Sequence, residues 1–209
     1  MVIGQYNNDN RSSLFIIGNG SSDGVRSNAF RVDTSGTSFQ SKCNTEGADY
    51  AEYFEWADKN PRGEDRIGYF VSFDQNDTIK LGGTNDLLGV VSATASIVAN
   101  SYEDSWNEKY KKDIYGRIQY EDYINAYGEL SQKPIFNENY NPNLTYIPRS
   151  QRPEWAVIGM LGRLIVRDDG SCIPGKYCTS NEDGIATTSS KGYRVLKRLD
   201  ESHIQILFK

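Results

Sequence analysis

Gly47-Ala48-Asp49-Tyr50-Ala51-Glu52-Tyr53-Phe54-Glu55-Trp56 sets three carboxylates, at 49, 52 and 55, among four aromatic rings. In an extended segment side chains alternate faces, so Asp49 and Glu55 share a side with Tyr53, and Glu52 shares the other with Tyr50, Phe54 and Trp56. A carboxylate among aromatics is desolvated, and its pKa rises toward the range useful for acid–base work. In a helical turn Asp49 and Glu52 would instead meet as an i,i+3 pair of like charges, and repulsion would raise one of them. The same spacing also fits ordinary solvated acids beside a core strand.

On either side of this stretch the chain reads as short strands punctuated by turns. Ser13-Leu14-Phe15-Ile16-Ile17 is an apolar run stopped by Gly18-Asn19-Gly20, and Asn28-Ala29-Phe30-Arg31-Val32-Asp33 alternates apolar and polar residues. Two strands so short need neighbours to bury their faces, and a stem shared between chains supplies them. Downstream, Ile67–Phe73, Thr78–Leu81, Leu87–Ala93, Trp155–Val166, Tyr193–Arg198 and His203–Phe208 read as strands. Glycines within 155–166 argue for a bent or bulged buried strand. Ser101-Tyr102-Glu103-Asp104, with lysines at 109, 111 and 112, carries a helix-start pattern. Residues 120–127 fit strand or short helix, 131–153 read as a long Pro/Asn/Tyr-rich loop, and 183–192 as a small-residue loop. The expected fold is mainly β: a short trimeric β-stem, then a barrel- or sandwich-like domain with one or two short helices, in an intertwined homotrimer.

Bulk properties narrow the function. The 209 residues carry a formal charge of −5, so a nucleic acid finds no general attraction. Fourteen Tyr and a mean hydropathy of −0.63 favour strands and amphipathic contact surfaces over a large aliphatic core. No apolar run reaches membrane-spanning length, and Met1-Val2-Ile3-Gly4-Gln5-Tyr6 lacks the basic and apolar regions of a signal peptide, so neither membrane nor export is expected. Three cysteines rule out a disulfide-built scaffold; Cys172 and Cys178 can meet across a turn as a disulfide or as two free thiols. With one histidine, His203, read as structural, no metal or cofactor is expected. Asp168-Asp169-Gly170 reads as an acidic turn ending a strand. Arg149 and Arg152, beside Pro148 and Pro153, read either as structural ion pairs or as a carboxylate clamp in trans.

Taken together, several blocks carry a resemblance. They are Ala48–Trp56, Glu64-Asp65-Arg66-Ile67-Gly68, Leu88-Gly89-Val90-Val91-Ser92, Tyr146-Ile147-Pro148-Arg149-Ser150 with Arg152-Pro153-Glu154-Trp155, Asp168-Asp169-Gly170, Asp183-Gly184-Ile185-Ala186-Thr187 and Gly192-Tyr193-Arg194-Val195. Residues 47–209 resemble the C-terminal intramolecular chaperone and autoproteolytic, peptidase G2-type domain of phage neck-appendage and tail-spike proteins. Residues 1–46 are similar to the end of a trimeric fibre stem, through Ile16-Ile17-Gly18-Asn19-Gly20 and Arg26-Ser27-Asn28-Ala29-Phe30.

The resemblance implies a homotrimerisation chaperone that registers the upstream β-stem of its own chain and then cuts itself free. It would work in the host cytoplasm during assembly and leave the stem in the virion tail or appendage. It places the cut at Ala48–Asp49, and with carboxylate chemistry there Asp49 and Glu52 are the expected catalytic pair. Glu52 would act as base to a water and then as acid to the leaving nitrogen; alternatively the Asp49 carboxylate attacks the Ala48 carbonyl through a six-membered ring. The family pattern carries serine before the aspartate. Alanine at 48 argues against a hydroxyl-driven N–O shift and leaves carboxylate chemistry. Arg66, Asn44 or a backbone amide are candidates for the oxyanion donor. The alternative from another class is a trimeric fibre-tip module that never cuts and binds a cell-surface ligand through 131–153.

Overall fold

Short runs of alternating side chains, closed by Gly, Asn and Asp turns, make strands of nearly every element. The computed structural model describes residues 1–8, 12–84 and 86–209 and divides into two units, Met1–Glu46 and Gly47–Lys209. In the first unit, β1 (Val2–Gln5), β2 (Ser13–Asn19), β3 (Asn28–Asp33) and β4 (Ser38–Gln40) form one sheet in that order. The β1–β2 pair is parallel and the other two are antiparallel. Gly4, at φ +85°, lies so close to Gly18 that a Cβ would stand 2.2 Å from the Gly18 carbonyl oxygen. Among the described residues of this unit only Ile16 is a buried hydrophobic, while Val2, Ile3, Leu14 and Val25 are exposed. The two strands found by sequence thus have neighbours, β1 and β4, within their own chain.

The second unit holds β5 (Asp49–Glu55), β6 (Phe70–Phe73), β7 (Ile79–Leu81), β8 (Leu87–Val91), β9 (Ile97–Ala99), β10 (Tyr120–Ile124), β11 (Leu130–Pro134), β12 (Trp155–Arg167), β13 (Tyr177–Ser180), β14 (Ala186–Ser189), β15 (Tyr193–Arg198) and β16 (His203–Phe208). β10 and β11 form a separate hairpin; the other ten strands make one curled, half-barrel sheet. β12 is its hub. One edge of β12 pairs with β5 from Trp155 to Gly162; the opposite edge takes β8 at Ile158–Gly159 and then β16 from Gly162 to Arg167.

Successive residues of the central strands feed opposite faces. Phe70 and Val90 enter one core, with Leu164, Val166, Ile204, Ile206 and Phe208; Val71 and Val91 enter the other, with Trp56, Ile79, Ala156 and Ile158. Along β12, Ala156 and Ile158 serve one core and Leu164 and Val166 the other, although all four are even-numbered. The bulge between Gly159 and Leu161 explains this: one extra residue, Met160, inverts which face the later side chains take.

Several sequence expectations are corrected. The only helix among the described residues is a 3₁₀ turn at Arg149–Gln151, and the helix expected from Ser101 does not form. There the backbone takes positive φ at Asn100 and Tyr102. The segment is instead tied to a distant one: Lys111 N–H donates to the Ile135 carbonyl (2.8 Å), and Asn137 N–H donates to the Lys109 carbonyl (3.1 Å). Long-range pairing outweighs a few tenths of a kcal/mol of terminal charge preference here (~0.3–1 kcal/mol). Residues 120–124 are strand, the 131–153 loop begins with four residues of β11, and the 183–192 loop contains β14, which pairs with β13.

Cys172 and Cys178 are free thiols buried in one core, and Cys43 is exposed. Burial pushes the Cys178 thiol up to about 12 and drives Cys172 up as well, with Asp168 adding to both. Because the thiolate is the reactive form, a disulfide-exchange reagent is expected to label Cys43 at once in the native protein. Cys172 and Cys178 should react only after denaturation, and fast labelling of three thiols in the native state would contradict this placement.

Candidate active site

The Ala48–Asp49 peptide bond lies where β5 begins, opposite Gly162 of β12. Asp49 is only 5% exposed, and its Oδ2 has no hydrogen-bond partner. The carboxyl occupies space left by a missing side chain: a Cβ on Gly159 would stand 2.8 Å from Asp49 Oδ2 and 2.4 Å from a Leu164 methyl. Burial beside that core raises the Asp49 pKa above its usual 3.8, partly offset by a hydrogen bond from Ser92 and by its own backbone.

The backbone is held on either side of the Asp49 Cα. The Arg163 N–H donates to the Ala48 carbonyl at 3.1 Å, and the Ser96 N–H donates to the Asp49 carbonyl at 2.8 Å. Gly47 lies against Thr94 and Ser96, since a Cβ there would be 2.5 Å from the Thr94 carbonyl and 2.7 Å from the Ser96 hydroxyl oxygen.

Glu52 is elsewhere. Because 49–55 is a strand and not a helical turn, Asp49 and Glu52 take opposite faces, as the alternation requires. Three extended residues separate them by roughly 10 Å. Glu52 is half-buried, paired in register with Ala99 and Ile158, and borders a shallow cleft with Asn100, Ser101 and Tyr102. Within one chain the fold therefore does not bring Glu52 to the Ala48–Asp49 link. On Glu52's face, Tyr50 is flanked in register by Leu161 and Ile97, and all three are exposed.

The remaining candidates find other employment. Arg66 is committed to Asp58 (2.6 and 3.0 Å) and Glu64 (2.9 Å) and lies over the Trp56 ring, while Asn44 belongs to the first unit. Arg152 pairs with Glu154 at 3.4 Å; Arg149 is buried on the Trp155 ring at 3.6 Å and donates to the Asn100 carbonyl. Asp168, Asp169 and Cys172 bring ligand atoms within 4.8 Å of one another, but Asp168 is engaged by Arg198 at 2.5 Å. His203 bonds to Asp200 at 2.9 Å. Ser96, Gly159, Gly162 and Arg163 escaped the sequence reading as parts of this site. They lie some 50 to 115 residues downstream, and their one signal was the run of glycines that marked a bent strand.

A family model described as "Peptidase_G2, IMC autoproteolytic cleavage domain" matches residues 1–202. The pre-neck appendage protein of Bacillus phage B103 is 32% identical over 73% of this chain and 19% of its own length. The preneck appendage protein of Bacillus phage PZA is 36% identical over 62% of this chain and 15% of its own. This chain thus spans less than a fifth of those relatives. Among solved structures, pre-mature bacteriophage phi29 gene product 12 superposes with a TM-score of 0.73 at 28% identity, over 88% of this chain and 25% of that one. A C-terminal fragment of the same gene product gives 0.62 at 30% identity, over 77% of this chain and all of the fragment.

Proposed function

This chain belongs to the Peptidase_G2 family of IMC autoproteolytic cleavage domains, and on that premise we propose that it cuts itself at Ala48–Asp49 after three copies assemble around an upstream β-stem. The observation that carries the reading is the Asp49 carboxyl, buried, without a partner at Oδ2 and raised in pKa, on the residue whose nitrogen would leave. Glu52 is the second carboxylate, reaching the link from a neighbouring copy. Its distance from Asp49 along one strand favours that arrangement, as does the exposed apolar row of Tyr50, Leu161 and Ile97 on its face.

The chemistry follows from the two environments. A water oxygen adds to the Ala48 carbonyl carbon while Glu52 takes its proton; the C–N bond then breaks as that proton passes to the Asp49 nitrogen, leaving an Ala48 carboxylate and an Asp49 amine. Asp49, whose burial favours its protonated form, in that form hydrogen-bonds the developing charge without adding a second negative one. Uncatalysed amides are so inert that positioning must supply much of the acceleration, which suits a reaction delayed until assembly completes the site.

Chaperoning addresses a kinetic problem. Intertwined β-structure nucleates slowly and exposes edges that aggregate, and a domain that associates first raises the local concentration of the three stem segments. The thin core of the first unit, with Val2, Ile3, Leu14 and Val25 exposed, fits a segment completed by other copies. Cutting then removes the nucleator and the route back. In this reading the work is done in the host cell during assembly and the stem stays with the virion appendage.

Mass spectrometry of the purified full chain tests the reading, the expected product being residues 49–209 with Asp49 at the N-terminus. A chain that trimerises and stays whole would instead be a non-cutting fibre-tip module. A pH effect accompanies the buried acid. Because the folded-state pKa of Asp49 is raised, the stability its neutral form contributes is complete below about 3.8 and is lost as pH rises through the folded value. In a Glu52→Gln background that keeps the bond intact, Asp49→Asn is expected to gain stability relative to Asp49 between pH 4 and 7, by about 1 kcal/mol. Urea unfolding at the two pH values, at one protein concentration, measures it; an equal or inverted difference would contradict a raised Asp49 pKa.

A further inference from the structure

We propose that the backbone N–H of Arg163 is the oxyanion donor for cleavage of the Ala48–Asp49 bond, and that Gly162 is a positioning residue whose missing side chain lets that amide reach the carbonyl. The inference rests on the self-cleavage reading and adds a group to it.

Three observations point the same way. The Arg163 N–H already donates to the Ala48 carbonyl oxygen at 3.1 Å, the atom on which negative charge would collect as water adds. Gly162 takes φ +121°, a backbone conformation that residues with a side chain avoid, and a Cβ there would lie 2.2 Å from that oxygen and 2.9 Å from the Asp49 Cα. In a regular strand the Cβ stands out of the sheet and never meets the partner's carbonyl. Here the local twist turns the bare side of Gly162 onto the link, next to the bulge at Gly159–Leu161, where strands are re-aimed. One peptide further on, the Ser96 N–H holds the Asp49 carbonyl at 2.8 Å, which anchors the chain just past the link.

In the reaction the π electrons of the Ala48 carbonyl move onto its oxygen as the water oxygen bonds to carbon, and the Arg163 N–H bond to that oxygen strengthens. When the oxygen pair returns, the C–N bond breaks and the nitrogen of Asp49 carries off the proton. A backbone amide needs no reorganisation to play this part, and it lies on the hub strand of the sheet.

The test replaces residue 163 by its α-hydroxy acid in the full chain, which turns the amide N–H into an ester oxygen. Cleavage is expected to slow at least about 100-fold, as when other oxyanion donors are removed. The same ester change at Ile165, past the last β5 partner of β12, should leave the rate within about twofold. An ester at 163 that cuts as fast as wild type, with unchanged circular dichroism and oligomeric state, overturns the assignment while leaving self-cleavage standing. A wild-type chain that does not cut at Ala48–Asp49 overturns both. Should the 163 ester fail to fold, Gly162→Ala is compared with Gly170→Ala. Both sites have positive φ, but a Cβ at Gly170 meets nothing within 4 Å. Loss of cutting only at 162, in variants that trimerise equally, supports the assignment, and equal rates refute it.

Discussion

Glu52→Gln and Asp49→Asn chains are each expected to run as a single full-length band under conditions in which wild type resolves into residues 1–48 and 49–209. The Glu52→Gln rate should fall by at least about 10²- to 10⁴-fold, the range for loss of a general acid–base group, and the Asp49→Asn rate by about 10²- to 10³-fold, the range for loss of a hydrogen-bond donor to the transition state. The two substitutions should do so for different reasons. Asn at 49 fills the slot beside Gly159 and Leu164 with an isosteric amide, so folding and association persist and only the carboxyl is lost. Gln at 52 removes a base from a half-buried position that belongs to neither core, so the unfolding midpoint should hardly change. Gel densitometry over time, with oligomeric state measured in parallel, gives the answer. Cutting at the wild-type rate in either variant would remove that carboxylate from the mechanism.

Much of the β architecture was legible because a strand leaves its period in a few residues. Residues 203–208 alternate between core and surface and the sheet uses them that way, while 193–198 do so only as far as a bulge between Val195 and Lys197. Strands at 177–180 and 186–189 were not legible, because each sends only one small residue into the core, Cys178 or Ala186, from among Thr and Ser. The false helix at 101 had the converse cause: a correct local charge pattern overruled by bonds to residues 135–137, which no window contains. For the site, alternation alone placed Asp49 and Glu52 on opposite faces. What it could not give was the depth of each carboxyl. Asp49 is buried because Gly159, 110 residues away, has no side chain, while the aromatics near Glu52 leave it half-open: Tyr50 is exposed, and Phe54 turns to Phe73. Alternation sets Glu52 on the aromatic face, where desolvation is expected; the structure shows desolvation at Asp49.

That geometry leads to the sharpest expectation: two inactive chains should restore cutting to each other, and only one of them should be cut. Because Glu52 cannot reach the link of its own strand, the proposed site draws Asp49 from one copy and Glu52 from the next around a three-fold ring, a heterologous contact that closes. A Glu52→Gln chain keeps its link and Asp49 but lacks the base. Beside an Asp49→Asn chain it regains that base from the neighbour, whereas the Asp49→Asn link has no Asp49 in any trimer. With the two co-expressed in equal amounts and association random, about half of the Glu52→Gln chains should be cut, since each depends on one particular neighbour. None of the Asp49→Asn chains should be. An N-terminal tag on one chain identifies the fragments by mass. The expectation separates assembly from chemistry, because a site built within a single chain, after whatever rearrangement, gives no product from either partner. Trimers that form in the mixture with both chains intact would place the second carboxylate somewhere other than residue 52 of a neighbour.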